Sequence, residues 1–358
     1  MPTIGQLRLK SFYTIYHMFT FVSFSVGAIK SKTVDEGVFL AEVAIIVSVM
    51  TTKLWMLLWK QKQITRLLNR ICVFSIRDDE QFTFFNDKVE KFVKFVMVFA
   101  CATIVGSLGN TIFPFIGNNK KFVVDLAFPL DWKNSEIGFW MTYIFFVSEN
   151  VLSFLAMTFS VIIWYLLLHC SLRYKILGTE MRNMGRITTG CKVKMSVKKQ
   201  QAIFQKDLVA AIEHHLHLRG LIDELESFLS RLFMLQFATS GVCICGSIYC
   251  LAFDVAVNFA ERIVHVYSLF YSLAELFMIT YLGNEIMLSS SRLTYSLFES
   301  EWIGQPHSTQ KCIIIFGEYL KQSHEMLIGK LYPLTLETFT RILNSAYSLF
   351  NILKNTKQ

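Results

Sequence analysis

Several residues of this 358-residue chain are of types that do chemistry when brought together. Glu213-His214-His215-Leu216-His217 offers imidazoles and a carboxylate. Two metal ligands on one helical face must lie three or four residues apart, and here only His214 and His217 do so. Cys243-Ile244-Cys245 with Cys250 has a metal-like look, yet these residues sit in an apolar run without the His or Cys partners of a zinc site. Small packable side chains are the simpler reading. No nucleophile–base pair stands out, so neither an enzyme nor a cofactor is expected. What does stand out is charge in apolar surroundings: Glu42, Lys53, Glu149, Arg231 and Glu275. Inside a membrane such groups are costly and mark a bundle interior or a water-filled cavity. Lys53 and Arg231 lie near enough to segment ends to snorkel to the surface. Glu149 and Glu275 are deeper and call for hydrogen bonds or ion pairs between helices.

The apolar surroundings are seven long stretches: Phe12–Ile29, Val38–Trp59, Phe95–Gly117, Phe139–His169, Phe228–Phe253, Ile263–Gly283 and Leu331–Leu353. Most reach the roughly 20 residues that cross a bilayer. With 53% hydrophobic and 17% charged residues and a mean hydropathy of +0.43, the chain is too apolar for a soluble domain and is expected to be an integral membrane protein. Of its 35 Lys and Arg residues, 24 fall before the first segment or within residues 60–94, 173–219 and 292–330, and only 8 in the alternate gaps. Basic loops stay cytoplasmic, so the N-terminus is expected in the cytoplasm and the C-terminus outside, in an all-α bundle of seven helices. The net charge of +8 is spread along these edges without a nucleic-acid motif, so the basic partner is the lipid bilayer and no nucleic acid is expected. All eight cysteines fall in segments or cytoplasmic gaps, and only Cys250 nears the outer surface, which argues against a disulfide framework. The first segment, broken by several polar residues, has 18 residues and no small-x-small site, which argues against a cleaved signal peptide.

The long basic gap reads as helix. Leu208, Ile212, Leu216, Leu221, Leu225 and Phe228 recur at spacings of three to five, describing an amphipathic helix that runs straight into the fifth segment. Ile313, Phe316, Leu320, Met326 and Leu327 suggest a further helix before Pro333 restarts the chain. The cytoplasmic part, about 170–227 and 284–330, is thus expected to be helical extensions of the bundle and not a separate domain. In the last segment Thr338, Arg341, Asn344, Ser345, Ser348, Asn351 and Asn355 alternate with Leu343, Leu349, Phe350, Ile352 and Leu353. Such a helix can face water along a narrow stripe and gate by dewetting at an apolar ring.

Three runs resemble one family. Tyr281-Leu282-Gly283-Asn284-Glu285, with Ser289, Ser290, Ser291, Leu293, Tyr295 and Glu299-Ser300-Glu301-Trp302, is similar to the signature after the sixth helix of insect odorant receptors. The run from Pro333 through Glu337, Arg341, Asn344 and Tyr347 to Phe350 resembles that family's last helix. His215 through Leu225-Glu226-Ser227-Phe228 to Gln236, Ser240 and Cys245 resembles the entry to its fifth. Tyr281 departs from the pattern, since many members carry cysteine there, and the arm before the first segment is short.

The resemblance implies a subunit of a ligand-gated, non-selective cation channel in the plasma membrane, in sensory dendrites of olfactory neurons. It implies a heterotetramer with an odorant co-receptor subunit, a pore lined by the last helix of each subunit and cytoplasmic helices that anchor subunits together. By position relative to Phe350, Ile352 corresponds to the family's hydrophobic gate and Asn355 to its outer polar ring, with Ser348 on the same polar side. It places the ligand site in the outer half, among helices two, three, four and six. A small volatile odorant there wants an aromatic pocket with one or two polar groups. Candidates at helical spacing are Ser107, Asn110 and Phe113 in the third segment, Tyr143, Phe146 and Asn150 in the fourth, and Tyr267, Phe270 and Tyr271 in the sixth. Tyr267 and Tyr271 can stack on an aromatic odorant and offer a hydroxyl. The alternatives are a gustatory-type receptor channel or a G-protein-coupled chemoreceptor. The latter wants the opposite topology and an Asp-Arg-Tyr-like triplet after the third segment, which is missing. A transporter wants repeats and paired helix breaks, also missing.

Overall fold

The computed structural model describes residues 4–357 except 32, 75, 77–78, 116–121, 123–134, 187–195 and 254–258, and the backbone alone at 110, 259–261 and 356–357. Cys191, the end of the third segment beyond 115 and the side chain of Asn110 thus lie outside the described residues. The helices are α1 (Ile4–Lys30), α2 (Val34–Trp59), α3 (Gln61–Cys72), α4 (Asp79–Ile112), α5 (Glu136–Arg182), α6 (Val197–Ala252), α7 (Phe259–Ser291), α8 (Leu293–Phe298), α9 (His307–Leu320) and α10 (Leu336–Lys357). Their starts carry the expected caps: the Thr33 hydroxyl accepts from the Glu36 N–H at α2, and that of Ser135 from the Gly138 N–H at α5. Proline marks the interruptions. Pro114 sits in the 3-10 turn Phe113–Phe115 that ends α4, Pro306 precedes α9, and Pro333 lies just before α10.

Among the described residues, six helices, α1, α2, α4, α5, α6 and α7, are long and apolar enough to cross a membrane. The seventh expected span is α10, which is too polar to join them and starts at Leu336, five residues later than expected. The reason is a small antiparallel hairpin, β1 (Leu327–Ile328) with β2 (Tyr332–Pro333), turned by Gly329 and Lys330 at φ 57° and 62°. The chain is therefore not purely helical. Met326 and Leu327 do not extend the helix before them, which stops at Leu320.

α5 and α6, at 47 and 56 residues, overrun a bilayer and extend beyond it as helices joined by α3, α8 and α9. One hydrophobic core runs through both parts, from Leu54 and Trp164 to Phe204, Leu297 and Ile313. The inward face of α6 is not the one the apolar spacing suggests. Leu208, Leu221 and Leu225 are buried, but Leu216 is exposed and His215 and Leu218 point inward instead. His215 packs edge-on against Phe316 and Tyr319, and burial, aided by Arg219, lowers its pKa to about 4. It is a neutral packing group at physiological pH. His214 lies 3.6 Å from Glu180, and His217 is exposed.

The residues that carried the family resemblance hold this helical extension to the bundle. Lys175 pairs with Glu285 at 2.5 Å and Arg182 with Glu299 at 2.5 Å. The His324 N–H donates to the Ser290 hydroxyl at 2.9 Å, and the Leu327 N–H to Glu226 at 3.0 Å. At Gly283 a Cβ would lie 2.5 Å from the carbonyl oxygen of Leu334, so α7 approaches the chain entering α10 as closely as a missing side chain permits.

Within the bundle, Lys53 does not snorkel. It is fully buried with its Nζ 2.8 Å from Glu275, whose other oxygen accepts from the Tyr271 hydroxyl at 2.6 Å. The carboxylate of α7 offsets part of the cost of burying this ammonium. Glu149 accepts from Thr20 and lies 3.5 Å from His17, tying α5 to α1. Arg231 is exposed, as expected.

Two outcomes follow for thermal unfolding of the detergent-solubilised chain. Lys53→Met leaves Glu275 buried and uncompensated and should cost about 3–5 kcal/mol, whereas adding Glu275→Leu to it should restore most of the loss; a double variant no more stable than the single one contradicts the pairing. Gly283→Ala should cost about 1–3 kcal/mol through overpacking against Leu334, and an unchanged melting temperature would show that α7 and the α10 entrance do not meet so closely.

Candidate functional site

α10 packs one side and bares the other. Ile342, Leu343, Ala346, Leu349, Phe350 and Leu353 turn toward Ile244, Cys245 and Leu276 of α6 and α7. Phe277 meets Phe339 edge-on at 5.7 Å, and Phe350 lies 6.2 Å from Phe253. The uncovered side carries Arg341, Asn344, Ser345, Ser348, Ile352 and Asn355, at intervals of three and four along one face. Ile352 is 60% exposed, so it packs on no helix of its own chain to any large extent. Thr338, expected among the polar positions, is instead buried and donates to the Pro333 carbonyl at 2.7 Å. The exposed parts of the other spans are of a different kind: Ile104, Val105 and Leu108 on α4 and Ile144, Val151 and Leu155 on α5 suit hydrocarbon.

The ligand candidates fall into two groups. In the first, Tyr271 is buried, stacks on Phe99 of α4 at 5.9 Å and meets Tyr267 at 6.4 Å. Gly106 makes this possible, since a Cβ there would lie 2.9 Å from the Tyr267 ring. The second group is on α5 and the end of α4: Tyr143 meets Phe115 edge-on at 5.1 Å, and Phe146 stacks on Phe122 at 5.1 Å. Asn150 donates to Thr111 at 3.4 Å, linking α5 to α4. Phe113 is buried in the turn after α4, Ser107 is half-buried, and Phe270 is 41% exposed with its ring 6.4 Å from Phe99. Asn110 lies outside the described side chains.

Two residues that the spacing of aromatic side chains did not bring out belong to the first group. Glu275 holds the Tyr271 hydroxyl, and Lys53 neutralises Glu275. Beside them, lined also by Gln236, Ser240 and Cys243, is a small cavity of about 30 Å³, enough to admit water. The signal was present in the sequence, because a lysine and a glutamate both stranded in apolar segments neutralise each other most cheaply by meeting. A larger cleft of about 460 Å³ lies at the other end, where Glu80, Lys175, Arg182 and Arg292 share the lining with Phe84, Ile176 and Leu293.

Among solved structures, the fold is similar to the olfactory receptor OR5 of Machilis hrabei, with a TM-score of 0.81 over 96% of this chain and 87% of that one at 13% identity. The same receptor in complex with eugenol matches with a TM-score of 0.80 over 97% and 88%, at 12% identity. Among curated proteins, the chain is 26% identical over 245 residues to Odorant receptor 23a of Drosophila melanogaster, covering 67% of this chain and 61% of the relative. It is 25% identical over 283 residues to Odorant receptor 33b of the same species, covering 76% and 70%. The matched stretch thus spans about three fifths of the first relative's length. The family model described as 7tm Odorant receptor matches residues 38–347. With the six apolar spans and the long helical extension, this match makes the chain a membrane protein that belongs to the odorant receptor family.

Proposed function

We propose that the chain is the odorant-tuned subunit of a ligand-gated cation channel, assembled with a co-receptor subunit into a heterotetramer in the plasma membrane of olfactory dendrites. The observation that carries this reading is the bare polar face of α10. A bundle helix that turns Arg341, Asn344, Ser345, Ser348 and Asn355 outward cannot leave them in lipid, where polar groups cost several kcal/mol each unless satisfied. Water along a central axis between subunits satisfies them. Ile352, on the same face and near the helix end, then supplies an apolar constriction that closes by dewetting. In this arrangement α10 is the seventh crossing, the N-terminus and the extension around α5 and α6 are cytoplasmic, the C-terminus is outside, and the extension joins subunits.

The ligand site is the aromatic group around Tyr267, Tyr271 and Phe99, together with the cluster of Tyr143 and Phe146. Eugenol, held by the Machilis receptor, is an aromatic odorant with a polar edge, and the same class suits a site of rings with a tyrosine hydroxyl. The cavity beside Tyr271 is far smaller than such a molecule, so binding displaces side chains there. Because Tyr271 shares Glu275 with Lys53 of α2, and α10 packs on α6 and α7, that displacement favours a state with the outer end of α10 moved from the axis. An odorant shifts the equilibrium only by its difference in affinity between the two states.

Current recorded against an odorant panel, with and without a co-receptor and with G-protein signalling blocked, tests the reading. Odorant-evoked current should persist under the block, and its abolition would overturn the channel. Ile352→Ala should raise current in the absence of odorant, and a variant as silent as the wild type would remove Ile352 from the gate. Tyr271→Phe, which keeps the ring and loses the hydroxyl, should raise the half-maximal odorant concentration by about threefold to tenfold; an unchanged dose response would place the ligand elsewhere.

A further inference from the structure

A second buried polar site lies near the end of the bundle where α6 finishes and α7 begins. Glu42 of α2, Cys250 of α6 and His265 of α7 each bring one ligand atom to within 4.8 Å of the others. All three side chains are at most 2% exposed. One oxygen of Glu42 accepts from the hydroxyls of Ser247 and Ser268, both at 2.5 Å, while its other oxygen has no hydrogen-bond partner among the described residues. Among the described residues Nδ1 of His265 also lacks one, and the ring is held edge-on by Phe39 at 4.6 Å.

The contrast with the other buried acids is instructive. Glu275 faces Lys53, and Glu149 lies 3.5 Å from His17, but among the described residues no basic side chain pairs with Glu42. A buried carboxylate with an unsatisfied oxygen is expensive, and a cation offsets the cost. Imidazole nitrogen, thiol sulfur and carboxylate oxygen converging from three helices are a donor set for zinc, which takes three protein ligands and a fourth, open position. Zinc bonds of about 2.0–2.3 Å put ligand atoms roughly 3.5 Å apart in a tetrahedron, so a modest rotation of these side chains closes the observed spacing. Ser247 and Ser268 then do what outer-shell groups do at metal sites, fixing the ligating carboxylate through the oxygen the ion does not use. The paired cysteines earlier in α6, Cys243 and Cys245, take no part in the cluster.

We propose that Glu42, Cys250 and His265 bind one zinc ion, which ties α2, α6 and α7 together. On binding, the Cys250 thiol gives up its proton to solvent and coordinates as thiolate, with no change of oxidation state.

Cobalt(II) is the probe, because a thiolate ligand gives it an intense charge-transfer absorption and tetrahedral coordination intensifies its visible bands. Titration of the purified full-length chain in detergent should saturate at one cobalt per chain, and zinc should bleach the spectrum. Cys250→Ser should lose the thiolate band and Cys243→Ser should keep it. A wild-type chain without a thiolate–cobalt band overturns the proposal whether or not any variant folds, as does a band that survives Cys250→Ser or disappears in Cys243→Ser. Zinc should also raise the melting temperature of the wild type and leave that of His265→Gln unchanged; an equal rise in both would place the metal elsewhere.

Discussion

The ion pair of Lys53 and Glu275 is the constraint around which the bundle is arranged. Two charges placed in the apolar interior are tolerable only together, so α2 must meet α7 at that level and in that rotation. Once α7 is so placed, Tyr271 falls within reach of the same carboxylate and its ring stacks, tilted by 27°, on Phe99 of α4. The opposite side of α7 is left for α10, which packs there through Leu276 and Phe277. One electrostatic requirement thus sets the neighbours of the helix between the aromatic site and the proposed pore.

The helical extension is held by a different chemistry. There the pairs are partly exposed and individually weak, as with Lys175 and Glu285 or Arg182 and Glu299, so no single one decides the structure. The arrangement is fixed by groups that cannot be satisfied otherwise. Arg173 donates to the last carbonyls of α3, at Arg70 and Ile71, and Tyr174, His324 and Asp223 form one hydrogen-bonded chain across α5, the segment after α9 and α6. Burial raises the Tyr174 hydroxyl pKa well above its ordinary value and lowers that of His324, which keeps both in their neutral, hydrogen-bonding forms near pH 7.

Much of this was legible in the amino-acid sequence, for physical reasons. A bilayer requires about 20 apolar residues, and that demand writes α2, α4, α5, α6 and α7 into composition alone. The short motifs were legible as a family likeness, but not for what they do, because Gly283, Glu285 and Ser290 act through distant partners. The hairpin before α10 was hidden by its apolar strand residues, Leu327 and Tyr332, which look like helix by hydropathy. Leu216 was misplaced because α6 has apolar residues on more than one face, and His215 is buried by ring contacts that an apolarity pattern does not register. For the aromatic site, 33 phenylalanines offered too many equivalent patterns, and only the structure separates Tyr271, held by Glu275, from the exposed Phe270 beside it. Glu42, Cys250 and His265 are so far apart in the chain that no spacing rule joins them.

The bare polar face of α10 remains the feature that distinguishes this helix from the six apolar spans. Its polar residues and Ile352 share a stripe, while the leucines at 343, 349 and 353 turn inward. If that stripe lines an aqueous pore, single cysteines placed along it in assembled channels are open to a charged, water-soluble thiol reagent. Ser345→Cys, Ser348→Cys and Ile352→Cys channels should lose odorant-evoked current on exposure to the reagent, and Leu343→Cys and Leu349→Cys channels should not. Equal protection of all five positions, or equal reaction at both faces, would contradict a pore lined by α10.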